Sequence, residues 1–190
     1  MAELKDYGKD FVPNVRYEDF SKEFLARLLV EYARCYIMAD ALWYSAVQEK
    51  FGPEVAFAMD YDMWVNKLPQ FEAARTLKVL NLKGNDVAEA MKFWQLAPSF
   101  PHGMFDYDLD LKNRNHALLT IKNCPALVRF ETKEPERIES ICRVLELASA
   151  KSYAKAINPD IVVTMPTMPP RKSPNDICCQ FEFKLEAKRK

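Results

Sequence analysis

The chain has 190 residues, with 27 basic side chains balancing 27 acidic ones, five cysteines and two histidines; this length supports a buried core without disulfides or metal, so oligomerisation, a homodimer included, is optional. Zero net charge with no basic face argues against a nucleic-acid partner, and the lack of any window of about 18 uncharged apolar residues argues against a membrane span. An odd number of cysteines and no export signal between Met1 and Asn14 predict reduced thiols in a cytoplasmic protein.

From Tyr17 to about Lys50 the pattern is helical. Phe20, Phe24, Leu28, Tyr32, Cys35, Ala39, Leu42 and Ala46 recur at three- and four-residue steps, and a second stripe runs through Leu25, Leu29, Tyr36 and Trp43. Two stripes imply a helix covered on more than one side. Asp40 is the only charge between Cys35 and Val47, with Tyr36, Trp43 and Tyr44 within a turn of it. Phe51-Gly52-Pro53 reads as a stop and restart. The next helix, through Ala56, Met59, Met63 and Trp64, is kinked or ended near Leu68 by Pro69, and helical periodicity resumes through Leu80. Gly84 is the expected stop, and Asn85 or Asp86 the expected cap of a third helix reaching Trp94.

Around Phe100 to Gly103 the period changes from 3.6 to two. Tyr107, Leu109 and Leu111 alternate with Asp106, Asp108 and Asp110 in a half-buried strand, and the turn Lys112 to Asn115 predicts an antiparallel hairpin with the strand His116 to Lys122. A second short strand is expected at Leu127 to Glu131. Pro135 then opens a long helix to about Ile157 with Ile138, Ile141, Cys142 and Leu145 inward. Ile161 to Val163 is a short strand, Met165 to Asn175 a Pro-rich ordered loop, and Cys178 to Leu185 a closing strand. Alternation there turns Cys179, Phe181 and Phe183 to the core and Cys178 away. The fold class is α+β: one unit over 1–190, in which a helical half (17–98) packs on a C-terminal antiparallel sheet with one long helix (104–187).

Cys124, Cys142 and Cys179 come from three elements that converge, which is what a thiolate site requires. The cofactor stays open; such a cluster suits a transition metal such as zinc, with His116 or His102 as a mixed ligand. Against this, unpaired cysteine commonly packs as a small buried hydrophobe, and no C-x-x-C pair is present. Nucleotide, dinucleotide and zinc-protease motifs are missing, and the three strand aspartates lack the glycine and distal glutamate of a calcium loop. Asp40 among aromatics either becomes a weak acid through desolvation or accepts a hydrogen bond from a tyrosine or the Trp43 indole.

Leu42-Trp43, Phe51-Gly52, Trp64, Asn123-Cys124-Pro125, Cys142, Asn158-Pro159 and Pro169-Pro170 leading to Cys179-Gln180-Phe181-Glu182-Phe183 form a combination. It resembles the L-2-amino-thiazoline-4-carboxylic acid hydrolase-like proteins, a group similar to the 4-vinyl reductase small-molecule-binding domains. The resemblance covers Tyr17 to Leu185. It implies a pocket between the helical half and the cysteine-bearing sheet, serving either hydrolysis of a small cyclic amidine-like C–N bond or plain ligand binding. An enzyme would use Cys124, Cys142 or Cys179 as nucleophile or metal ligand, with Asp40 or His116 moving protons. A binding or sensing domain would instead hold a small-molecule ligand against Tyr36, Trp43, Tyr44 and Trp64.

Overall fold

Ser21 starts the first long helix by accepting a hydrogen bond on its Oγ from the Phe24 amide (3.2 Å), and α1 (Lys22–Phe51) then runs for 30 residues. In the computed structural model, which describes residues 3–8, 10–101 and 103–185, it ends at Gly52, whose φ of 91° suits glycine, and Pro53 opens α2 (Pro53–Tyr61). A π-helical turn, Asp62–Lys67, joins α2 to α3 (Leu68–Val79) and places Pro69 in the first turn of α3. There its missing N–H costs little.

Helix α3 stops five residues before Gly84, where Asn81 turns left-handed (φ 52°). Gly84 matters for another reason: a Cβ there would lie 2.2 Å from Glu89 Cγ. Asp86 caps α4 (Val87–Leu96) as expected, its Oδ1 accepting from the Glu89 amide (2.9 Å).

The sheet has the order β1-β2-β4-β3 and is antiparallel throughout: β1 (Asp106–Asn113), β2 (His116–Asn123), β3 (Ile161–Thr167) and β4 (Cys179–Leu185). The hairpin forms as the spacing predicts, with Leu109 opposite Leu119, and Leu119 in turn opposite Phe181. Alternation directs Ala117, Leu119, Ile121, Val163, Phe181 and Phe183 to one face. That face meets Phe93, Trp94 and Tyr153 in a core shared with the helical half through Tyr44, Val47 and Trp64. The fold is therefore α+β, with the helical half N-terminal and the sheet C-terminal.

The short strand expected at Leu127 to Glu131 is a helix, α5 (Pro125–Lys133). Pro125 occupies its first turn, the Cys124 sulfur caps the Leu127 amide at 3.5 Å, and Leu127 and Phe130, three apart, face inward. A short apolar run has no periodicity of its own, so the flanking proline and cap decided it. The long helix begins as a π-helical segment, Ile138–Leu145, and continues as α6 (Glu146–Ile157). Met165 to Thr167, read as loop, extend β3. Among the described residues no helix is long and apolar enough to cross a membrane.

Candidate functional site

A cavity of about 220 Å³ lies between α1, α2, α6 and the inner face of the sheet. Its long wall is one face of the helix that ends at Ile157. Cys142, Glu146, Ser149, Ala150 and Tyr153 follow one another at helical spacing and all line it. At about 1.5 Å of rise per residue, Glu146 and Tyr153 stand about 10 Å apart, which separates two ends of different chemistry.

The Tyr153 end is aromatic. Trp94 lies 5.3 Å from Tyr153 and 6.0 Å from Phe100, which stacks on Phe105 at 4.9 Å. Just behind it the buried Glu72 accepts hydrogen bonds from Tyr153 (3.0 Å), the Ser99 hydroxyl (2.7 Å) and amide (3.3 Å), and Tyr36 (3.4 Å). The Trp94 ring lines the cavity, while its indole Nε1 is buried and has no hydrogen-bond partner among the described residues.

The Glu146 end is acidic. Asp40 of α1 accepts the Trp64 indole N–H at 3.1 Å, and Asp40 and Asp60 of α2 are close enough to share a hydrogen bond, which requires a proton on one of the pair. Burial raises Asp40 above the ordinary carboxylate range, opposed by the Trp64 hydrogen bond. Asp60 is pushed up to about 7, first by burial and then by the charge of Asp40. Glu146 is pushed to about 7 by the same two causes. Glu146 lines the cavity while its side chain keeps a large accessible surface.

Arg137 is the cation among the lining residues. It is already engaged, bonding Glu134 at 2.8 Å and stacking 4.0 Å from the Tyr44 ring centre and 4.6 Å from that of Phe130. Its Nε is buried without a partner among the described residues.

Of the residues expected from sequence, Asp40, Tyr44, Trp64, Cys124, Cys142 and Cys179 line this cavity. Cys178, expected to stand apart, lines it as well and is 1% exposed. It precedes β4, so strand parity does not govern it; its amide donates to the Ile121 carbonyl (2.8 Å) and its thiol to that of Lys122 (3.3 Å). The thiols are held neutral. Burial raises Cys124 to about 11 and raises Cys142 and Cys179 further, reinforced by nearby Glu146.

The metal centre expected from these cysteines is not formed: among the described residues no group of three or more His, Cys, Asp or Glu side chains could hold a metal ion. His116 sits on the opposite face of the sheet, 2.9 Å from Glu182, and takes no part in the cavity. His102, the other histidine weighed as a ligand, lies outside the described residues. Trp43 is on the outside of α1, where it lines a groove of about 260 Å³ with Met59, Met63 and Lys67. Tyr36 lies behind the cavity wall, 6.2 Å from Trp64. The donor to Asp40 is therefore Trp64 and not Trp43.

Asp60, Glu146, Arg137 and Trp94 are cavity residues that sequence reasoning missed. Glu146 had a signal: it falls four residues after Cys142 on the same helix face. Asp60 had none, since only tertiary packing brings α2 against α1.

No curated protein matches this chain, and no solved structure does. A family model does match, over residues 18–185: the chain belongs to a family of unknown function, DUF6125.

Proposed function

We propose that the protein is a small-molecule-binding domain whose cavity takes a compact ligand with a flat apolar body and a basic nitrogen. The observation that carries this reading is the gathering of Asp40, Asp60 and Glu146 around one arginine already committed to Glu134. Three carboxylates lining one cavity raise one another's proton affinity, so without a bound cation protons are retained up to about neutral pH. A bound ammonium or amidinium ion would take the place of those protons. The aromatic end supplies the surface for the body of the ligand. At about 220 Å³ the cavity falls below the roughly 300–1,000 Å³ usual for drug-sized ligands, which favours a ligand of one or two rings.

Hydrolysis of a small cyclic C–N bond, which the resemblance to the thiazoline hydrolase-like proteins implies, is the second reading. What favours it is that Asp60 and Glu146 at about 7 are suited to general acid and base work. What disfavours a thiolate nucleophile is that burial keeps the cavity cysteines protonated.

Calorimetric titration with benzamidine, benzamide and benzoate, three molecules of one shape and three charges, tests the binding reading. Benzamidine should bind at least tenfold more tightly than benzamide, releasing protons, and benzoate should not bind. Equal affinity for benzamide, or a preference for benzoate, would sink the proposal.

A further inference from the structure

Between Cys35 and Val47 helix α1 carries a single charge, Asp40, and is apolar almost all the way round. Its inner side gives Ile37, Tyr44 and Val47 to the core, with Asp40 to the cavity. Its outer side carries Leu25, Leu29, Tyr32, Tyr36, Ala39 and Trp43 at alternating steps of four and three, the spacing with which one helix packs along another. Leu28, Cys35 and Leu42 widen this strip on one side. It is open to solvent: Leu29 is 65% exposed, Tyr32 50%, Leu42 64% and Trp43 60%. Glu31 and Arg34 run along its far edge and neutralise each other at 2.5 Å. A helix with apolar residues on all sides is ordinarily buried on all sides.

We propose that this strip is the contact between two copies of the chain, α1 of each lying along α1 of the other about a two-fold axis. The area fits. With roughly 200 Å² for a fully exposed side chain of this size, these four residues and Tyr36 offer on the order of 550 Å². Leu25, Leu28 and Met59 bring the patch close to the ~800 Å² per partner of a stable interface, beyond the ~300–600 Å² of the largest patch on an ordinary monomer. A four-three strip is complementary to a second strip of the same spacing, and two-fold symmetry supplies one. A membrane surface is the poorer occupant because it calls for a basic rim, and the rim here is a balanced Glu31–Arg34 pair. The inference does not depend on what the cavity binds.

Sedimentation velocity of the wild type and of the double variant Leu29→Glu/Leu42→Glu tests it. The wild type should sediment at twice the 22.0 kDa chain mass. The variant should dissociate at least 100-fold more readily with unchanged circular dichroism. Cys35, inside the strip, should then alkylate about tenfold faster in the variant, while buried Cys178 stays protected in both. Should the variant fail to fold, the wild type decides alone, since a dimer's thermal midpoint rises with protein concentration. A wild-type monomer at ~100 µM, with or without binding to anionic vesicles, or a midpoint unchanged over a ~100-fold dilution, would overturn the proposal. So would a folded variant that remains a dimer.

Discussion

Two carboxylates, Glu72 buried behind the aromatic end of the cavity and Glu146 lining the acidic end with accessible surface of its own, stand in opposite surroundings. Glu72 is 5% exposed and receives four hydrogen bonds, from Tyr36 on α1, Tyr153 on α6 and Ser99 after α4. Those donors replace the water it lost and tie four parts of the chain together. Glu146 stands seven residues from Tyr153 on the same helix and forms no hydrogen bond among the described residues; it faces Asp40 instead. The first arrangement holds the fold, while the second leaves a group that takes up a proton or a cation.

The sharpest way to break the contrast is to truncate each carboxylate. Glu72→Ala leaves two tyrosine hydroxyls and the Ser99 groups without their acceptor, and should lower stability by about 3 kcal/mol in urea unfolding. Glu146→Gln keeps the shape and removes a charge that nothing compensates. At pH 8 it should be neutral or stabilising. Equal losses from the two changes would show that both carboxylates are structural.

A smaller effect is expected on binding. Asp40→Asn retains an acceptor for the Trp64 indole but removes the charge nearest Asp60 and Glu146. Benzamidine affinity should fall at least tenfold, about 1.4 kcal/mol, with little change in the unfolding midpoint. Unaltered affinity would move the cation site away from α1.

The pH dependence of stability tests the acidic end without any ligand. Asp60 and Glu146 have folded-state pKa values of about 7, above their unfolded values near 4. The folded state therefore binds more protons than the unfolded state between those limits. The stability the two groups contribute is complete below about pH 4 and is lost as pH rises through 7. The wild type should lose about 1 kcal/mol between pH 6 and pH 8, a figure kept well below the full shift because the cavity admits water. The double variant Asp60→Asn/Glu146→Gln should be flat over that range. A wild type whose stability rises with pH there would contradict the raised carboxylates.

How much of this was legible in sequence depended on whether one element or several decided the outcome. The β1–β2 hairpin, the Gly52-Pro53 break and the Asp86 cap are local, and the residues that encode them are adjacent in the chain. Cys142 and Cys179 line the cavity because helix period and strand alternation fix which face a residue takes, whereas Cys124 reaches it as the cap of α5. Cys178 escaped that logic by sitting one residue outside the strand. The α5 helix was misread because Leu127 to Glu131 is apolar enough for either structure and the cap that settles it is an unusual sulfur. The outer stripe of α1 was visible, but not that Trp43 would stay outside while Trp64, from a later turn, reached Asp40. That depends on how α2 folds back along α1. No spacing within one element carries that information.

The smallest effect should come from the one histidine that the structure describes. His116 and Glu182 pair at 2.9 Å on the outer face of the sheet, with side chains 29% and 23% exposed. Glu182 also has Lys184 at 2.7 Å, and the cavity lies beyond the full thickness of the sheet, lined from β2 by Leu119 and Ile121. Partly exposed ion pairs of this kind contribute about 0–1 kcal/mol, and Lys184 would keep part of it. His116→Gln should therefore change the unfolding free energy by less than about 0.5 kcal/mol and leave benzamidine binding and its pH profile untouched. A loss of binding in His116→Gln without a loss of stability would put the site on the other side of the sheet, and the carboxylate cavity would then have to be read as strained core.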